Sequence, residues 1–196
     1  MTDRPPPRVS LVNLPNALTV LRLIMVPVFL LALFAEGGHD TTWRWIAWAV
    51  FALAAITDRY DGHIARKRGQ VTDFGKIADP IADKALTGSA LIGLSMLGDL
   101  AWWVTVVILI REIGITLLRL AVIKYGVIAA SPGGKAKTLV QIIAIGLYIL
   151  PLPEAIQWVA VGAMGLALVL TVVTGVDYCV RAAVLYSRSR RPAGQS

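Results

Sequence analysis

Residues 57–84 read TDRYDGHIARKRGQVTDFGKIADPIADK, from Thr57 to Lys84. This stretch sets acidic side chains into a chain otherwise built for lipid. Four of them, Asp58, Asp61, Asp79 and Asp83, lie at or just inside apolar segments. A carboxylate in such a setting is costly unless it is paired or faces a water-filled cavity, so the four demand a partner.

Spacing shows how they meet. Asp58, Asp61, Gly62, Ala65 and Arg66 are offset by 0, 3, 4, 7 and 8, one stripe of a helix. Gly75, Asp79 and Asp83 are offset by 0, 4 and 8, also one stripe. Two neighbouring helices joined by a short basic loop would bring these stripes face to face. Asp73 falls off the stripe and reads as a helix cap or loop residue. Four carboxylates at close quarters repel each other. They must either take up protons or be neutralised by divalent cations. An all-oxygen set suits Mg²⁺, Mn²⁺ or Ca²⁺ rather than zinc. Four negative charges match two divalent ions, an arrangement used for in-line displacement at phosphorus. Gly62, Ala65 and Gly75 lie in register with the acids, where small residues let a ligand approach the backbone. Alone, each would read as helix packing. Arg66 suits a phosphate, whereas Lys67 and Arg68 read as loop charge.

Outside this stretch the chain is apolar. Of 196 residues, 57% are hydrophobic and 16% charged, which points to a membrane protein of one compact bundle. The net charge of +7 fits basic loops facing anionic headgroups better than nucleic acid. The single Cys179 makes no internal disulfide, and with two distant histidines it makes no zinc site. The opening MTDRPPPRVS and the lack of an A-x-A signature after the first apolar run indicate a retained first helix rather than a signal peptide.

Six segments are candidate spans, since about 20 residues cross a bilayer. They run from Asn16 to Ala35, from Trp43 towards Arg66, from Gly75 or Asp79 to Leu97, from Ala101 to Tyr125, from Lys135 to Leu150, and from Glu154 to Tyr186. There is no internal repeat. The expected organisation is one domain over residues 1–196, with an N-terminal tail at 1–12 and a basic C-terminal tail at 187–196. Basic residues collect in alternate loops: Arg4 and Arg8; Arg66, Lys67, Arg68 and Lys76; Lys124, Lys135 and Lys137; Arg188, Arg190 and Arg191. The opposite loops, EGGHDTT, GDL and PLPE, carry no Lys or Arg. Both termini are therefore expected in the cytoplasm. Trp43, Trp45, Trp102, Trp103 and Trp158 fall at the opposite, outer ends, where amphipathic rings favour the interface. The fold expected is all-α and polytopic, with six transmembrane helices in one bundle and a site facing the cytoplasm from the cytoplasmic membrane.

The complete pattern is D-x-x-D-G-x-x-A-R-x8-G-x3-D-x3-D, carried by Asp58, Asp61, Gly62, Ala65, Arg66, Gly75, Asp79 and Asp83. It resembles the signature of the CDP-alcohol phosphotransferase family, with no departure from it. The resemblance implies a six-helix, homodimeric membrane enzyme that transfers a phosphatidyl-type group from a CDP-linked lipid to an alcohol and releases CMP. It implies that Asp58, Asp61 and Asp79 bind metal, two Mg²⁺ with Mn²⁺ as an alternative. It also implies that Asp83 lies at the same metal site and serves as the base for the acceptor hydroxyl. Asn16, Thr19, Asp58, Gly62, Ala65, Arg66 and Gly75 would hold the CDP-lipid.

The acceptor is read from other segments: NLPNALTVLRLIMVP, with Asn13, Pro15, Thr19 and Arg22; REIGITLLR, with Arg111, Glu112 and Arg119; and GGKAKT, with Lys135, Lys137 and Thr138. Arg111 and Arg119 are offset by 8 and share a face. Lys135 lies where a helix N-terminus adds positive dipole. With Lys137, these residues make an expected anion pocket for an acceptor that carries its own phosphate. The alternative is an internal Arg111–Glu112 ion pair that holds helices together. The segments look like the branch of the family whose acceptor is glycerol 3-phosphate, with CDP-diacylglycerol as donor. The branch using inositol 1-phosphate also takes a phosphorylated acceptor, so basic residues alone do not separate the two. An ion-coupled transporter is the rival from another class. The acids lie at one face and no repeat is visible, which disfavours it.

Overall fold

The structure, a computed structural model, describes residues 14–68, 73–122 and 132–189. Within these ranges the side chains of 14–15, 58–68, 73–80, 83, 132, 186 and 188–189 lie outside the description. Among the described residues there are six α-helices and no strand: α1 (Leu14–Phe34), α2 (Thr41–Arg68), α3 (Asp73–Met96), α4 (Trp102–Val122), α5 (Pro132–Ile149) and α6 (Glu154–Ser189). The all-α expectation holds, and the helices fall close to the expected spans. Several bounds have a local cause. Asp40 Oδ1 accepts the backbone N–H of Trp43 at 3.0 Å, capping the start of α2. Pro132 opens α5, where its missing N–H costs nothing. α3 opens at Asp73, the acid left off the stripe.

The chain divides into two compact units, Met1–Gly93 with Ile149–Pro151, and Leu94–Tyr148 with Leu152–Ser196. In the first, α1 packs along α2, with the Phe29 and Phe51 rings 5.7 Å apart in its core. The turn between them is a short 3₁₀ segment, Ala35–Gly38, in which Glu36, Gly37 and Gly38 all have positive φ. The buried Arg44 reaches back from α2 and donates Nε–H to the Gly38 carbonyl at 2.5 Å. α3 approaches α1 at Gly93, where a Cβ would stand 2.7 Å from Leu33 Cδ2.

In the second unit, α3 ends in a left-handed glycine cap. The Gly98 N–H donates to the Ser95 carbonyl at 3.2 Å and the Asp99 N–H to the Leu94 carbonyl at 3.0 Å, with Gly98 at φ 81°. Ser95 Oγ and Thr105 Oγ1, both buried, lie 2.7 Å apart and tie the end of α3 to α4. α4 packs on α6. The buried positions of α6 are Ala160, Met164, Ala167, Thr171, Thr174, Gly175, Tyr178 and Ala182, which apart from Gly175 beside Thr174 recur in steps of three and four and define one face.

Many large apolar side chains are exposed. On α4, Val106, Ile110, Ile113, Leu117 and Leu120 form an exposed stripe; on α6, Val169, Val172, Val173, Val176, Val180 and Val184 are exposed. Branched apolar side chains turned outward, with alanines, threonines and serines among the buried residues, suit helices packed in lipid. Trp43, Trp45, Trp102, Trp103 and Trp158 are exposed as well. By length and composition, two stretches are long and apolar enough to cross a membrane, Asn16–Gly38 and Glu154–Leu185. The remaining helices have a chemical reason to be less apolar. α2 and α3 carry the aspartate stripes, α4 carries Arg111, Glu112 and Arg119, and α5 carries Lys135, Lys137 and Gln141.

Candidate active site

α2 is helical through Asp58, Asp61, Gly62, Ala65 and Arg66, and α3 through Gly75, Asp79 and Asp83. In helical backbone these offsets set each group on one face. The side chains of all eight lie outside the described residues. The donor set is hard oxygen throughout, which fits Mg²⁺ or Mn²⁺. Among the described residues no three or more His, Cys, Asp or Glu come together. Cys179 is free and exposed.

The expected donor-side residues on α1 are buried. Asn16 is 6% exposed and Thr19 1%. Arg22, one turn further along the same face, is 1% exposed. The face then continues through Met25, Phe29 and Leu33, so one buried stripe turns from polar to apolar along α1. Arg22, named in the sequence among the first-helix residues that bear on the acceptor, has no ligand assigned to it there. Its signal was an arginine in register with Asn16 and Thr19 inside an apolar helix.

The second unit holds the basic cluster. Glu112 Oε1 accepts Arg111 Nη1–H at 2.9 Å and also accepts from Lys137 Nζ. Lys137 is almost fully buried, at 2% side-chain exposure. Arg111 Nη2 donates to Thr174 Oγ1 at 2.7 Å. One turn on along α6, Tyr178 accepts from Arg119 Nε at 3.1 Å, and its ring centroid lies 5.4 Å from the Arg119 guanidinium carbon. Arg111 and Arg119 thus share a face, as their spacing predicts, and it is the face turned to α6. Lys135 is exposed at the start of α5. The Arg111–Glu112 ion pair is present, yet one carboxylate serves two cations, which leaves the cluster positive. Such a cluster can hold an anion. Thr174, Tyr178 and the buried Gln141 were not foreseen. Their signal was helical spacing, Thr174 to Tyr178 and Lys137 to Gln141, each four apart in apolar helices.

This all-helical chain, with acids spaced for metal and a separate basic cluster, belongs to the CDP-alcohol phosphatidyltransferase family, whose profile matches residues 12–173. Its relatives are named more narrowly. A probable phosphatidylglycerophosphate synthase of Mycobacterium tuberculosis is 63% identical over 175 residues, 89% of this chain and 84% of the relative. The CDP-diacylglycerol–glycerol-3-phosphate 3-phosphatidyltransferase of Bacillus subtilis is 38% identical over 186 residues, 85% of this chain and 93% of the relative. The enzyme of the same name from Rickettsia bellii is 36% identical over 179 residues, again 85% and 93%.

Proposed function

We propose that this chain transfers the phosphatidyl group of CDP-diacylglycerol to glycerol 3-phosphate, giving phosphatidylglycerophosphate and CMP in the synthesis of anionic phospholipid. The observation that carries this reading is similarity along most of the chain to relatives named for that reaction. The intact signature on α2 and α3 supports the donor half.

Asp58, Asp61, Asp79 and Asp83 would hold two Mg²⁺, with Mn²⁺ as a substitute. When bound, the ions neutralise charge on the pyrophosphate and on the departing CMP. Asn16, Thr19, Gly62, Ala65, Arg66 and Gly75 hold the CDP-lipid with Asp58. Arg111, Arg119, Lys135 and Lys137 hold the acceptor phosphate. Asp83 takes the proton from the primary hydroxyl of glycerol 3-phosphate. That oxygen bonds to the lipid-side phosphorus, and the bond from this phosphorus to the CMP oxygen breaks. The protein's share is positioning and preset charge. The chain works as a homodimer of six-span protomers in the cytoplasmic membrane, with both termini and the chemistry on the cytoplasmic side.

A panel assay tests this. Purified protein with CDP-diacylglycerol and Mg²⁺ is offered glycerol 3-phosphate, inositol 1-phosphate, inositol or serine. Product forms with glycerol 3-phosphate, disappears with EDTA and returns with Mg²⁺ or Mn²⁺. Product from an inositol acceptor alone overturns the acceptor assignment.

A further inference from the structure

Arg111 is a rigid fork of five donors, so which donors meet a ligand depends on how the guanidinium is turned. Two neighbours on α6 fix that turn. Thr174 Oγ1 accepts Nη2–H at 2.7 Å and lies 2.6 Å from the Leu170 carbonyl, to which it donates its one hydrogen. With that hydrogen committed, the hydroxyl can meet Arg111 only as an acceptor. Gly175 acts by what it lacks. A Cβ there would stand 3.3 Å from Arg111 Cγ and 3.8 Å from Nε, so the missing methyl leaves the lane along which the side chain crosses α6. Nη1 is held by Glu112. Nε is buried and has no hydrogen-bond partner among the described residues. The fork is therefore pinned at both tips and keeps donor capacity in reserve.

We propose that Thr174 and Gly175 are positioning residues for Arg111 and thereby set the affinity for the phosphorylated acceptor. This rests on the reading of Arg111 as an acceptor-phosphate ligand. Neither residue touches substrate; both act through the guanidinium, as residues behind a binding group commonly do.

The test is steady-state kinetics of the full chain in detergent, with KM for glycerol 3-phosphate, KM for CDP-diacylglycerol and kcat measured separately. Thr174→Val raises KM for glycerol 3-phosphate by about tenfold, the scale of one hydrogen bond to a charged group, and Gly175→Ala, whose Cβ would stand 3.3 Å from Arg111 Cγ, raises it in the same direction. KM for CDP-diacylglycerol and kcat stay within about twofold. Thr174→Ser, which keeps the hydroxyl, stays near wild type. Arg111→Lys keeps charge but loses the fork and also raises KM for glycerol 3-phosphate. Adding Thr174→Val to it brings no further rise. If Arg111→Lys raises that KM while Thr174→Val and Gly175→Ala do not, the positioning role is overturned and the acceptor assignment stands. If Arg111→Lys leaves it unchanged, the acceptor assignment itself fails. Equal losses of kcat in Thr174→Ser and Thr174→Val, with both KM values unchanged, assign Thr174 to packing and also overturn the proposal.

Discussion

Glu112 carries two cations on one oxygen, and the cluster it organises shows how single residues are used here. A buried lysine such as Lys137 is tolerable because a carboxylate meets it; removing that partner would leave charge buried and unpaired. The same carboxylate leaves one net positive charge, so a structural ion pair and an anion site are compatible within one cluster. Asp83 is the residue on which chemistry is expected to turn. Asp83→Asn keeps size and hydrogen bonding but cannot take a proton. Turnover should fall about 10²- to 10⁴-fold, while the thermal midpoint in detergent stays within a few degrees of wild type. Near-wild-type turnover would remove Asp83 as the base.

Two glycines, Gly93 and Gly175, stand where an added Cβ would meet a neighbouring helix's side chain. Gly93 lets α3 approach α1 closely; Leu33 Cδ2 would be 2.7 Å from a Cβ there, and Leu30 Cδ2 and Phe34 Cζ 3.6 Å. Leu33 is fully buried and has little room to turn away. Gly93→Val should therefore destabilise by about 1–3 kcal/mol through overpacking, read as a lower midpoint of thermal unfolding by tryptophan fluorescence. A midpoint equal to wild type would mean that α1 yields at this point. α6 uses the same economy differently. Its inner face sets Ala160, Ala167 and Ala182 beside Met164, Thr171, Thr174 and Tyr178, and its outer face is mostly valine. The polar groups that serve α4 are thus carried on a helix that is otherwise suited to lipid.

For the molecule as a whole, the proposed orientation makes a labelling prediction. The exposed Cys179 is first replaced by serine. Single cysteines are then placed at the exposed positions Glu36, Glu154 and Ser187. In intact cells an impermeant maleimide should label positions 36 and 154, and reach 187 only after permeabilisation. Labelling of 187 in intact cells would reverse the orientation. Helix existence and order were legible in the sequence because apolar length and loop charge act locally along the chain. The aspartate pattern was legible for the same reason, since its members fall within two consecutive helices. The basic residues of α4 and α5 were legible as charge but not as structure. Arg111 and Thr174 are 63 positions apart, and Lys137 and Glu112 are 25 apart. Composition could not tell which cation Glu112 holds, that Thr174 receives Arg111, or that Gly175 makes room for it. The sequence by itself determined an all-helical, lipid-suited chain with an acidic motif in its second and third helices. Only the tertiary structure decided how the cationic side chains are paired and aimed, because a buried charge is settled by the partner that packing brings to it, from whatever part of the chain that partner comes.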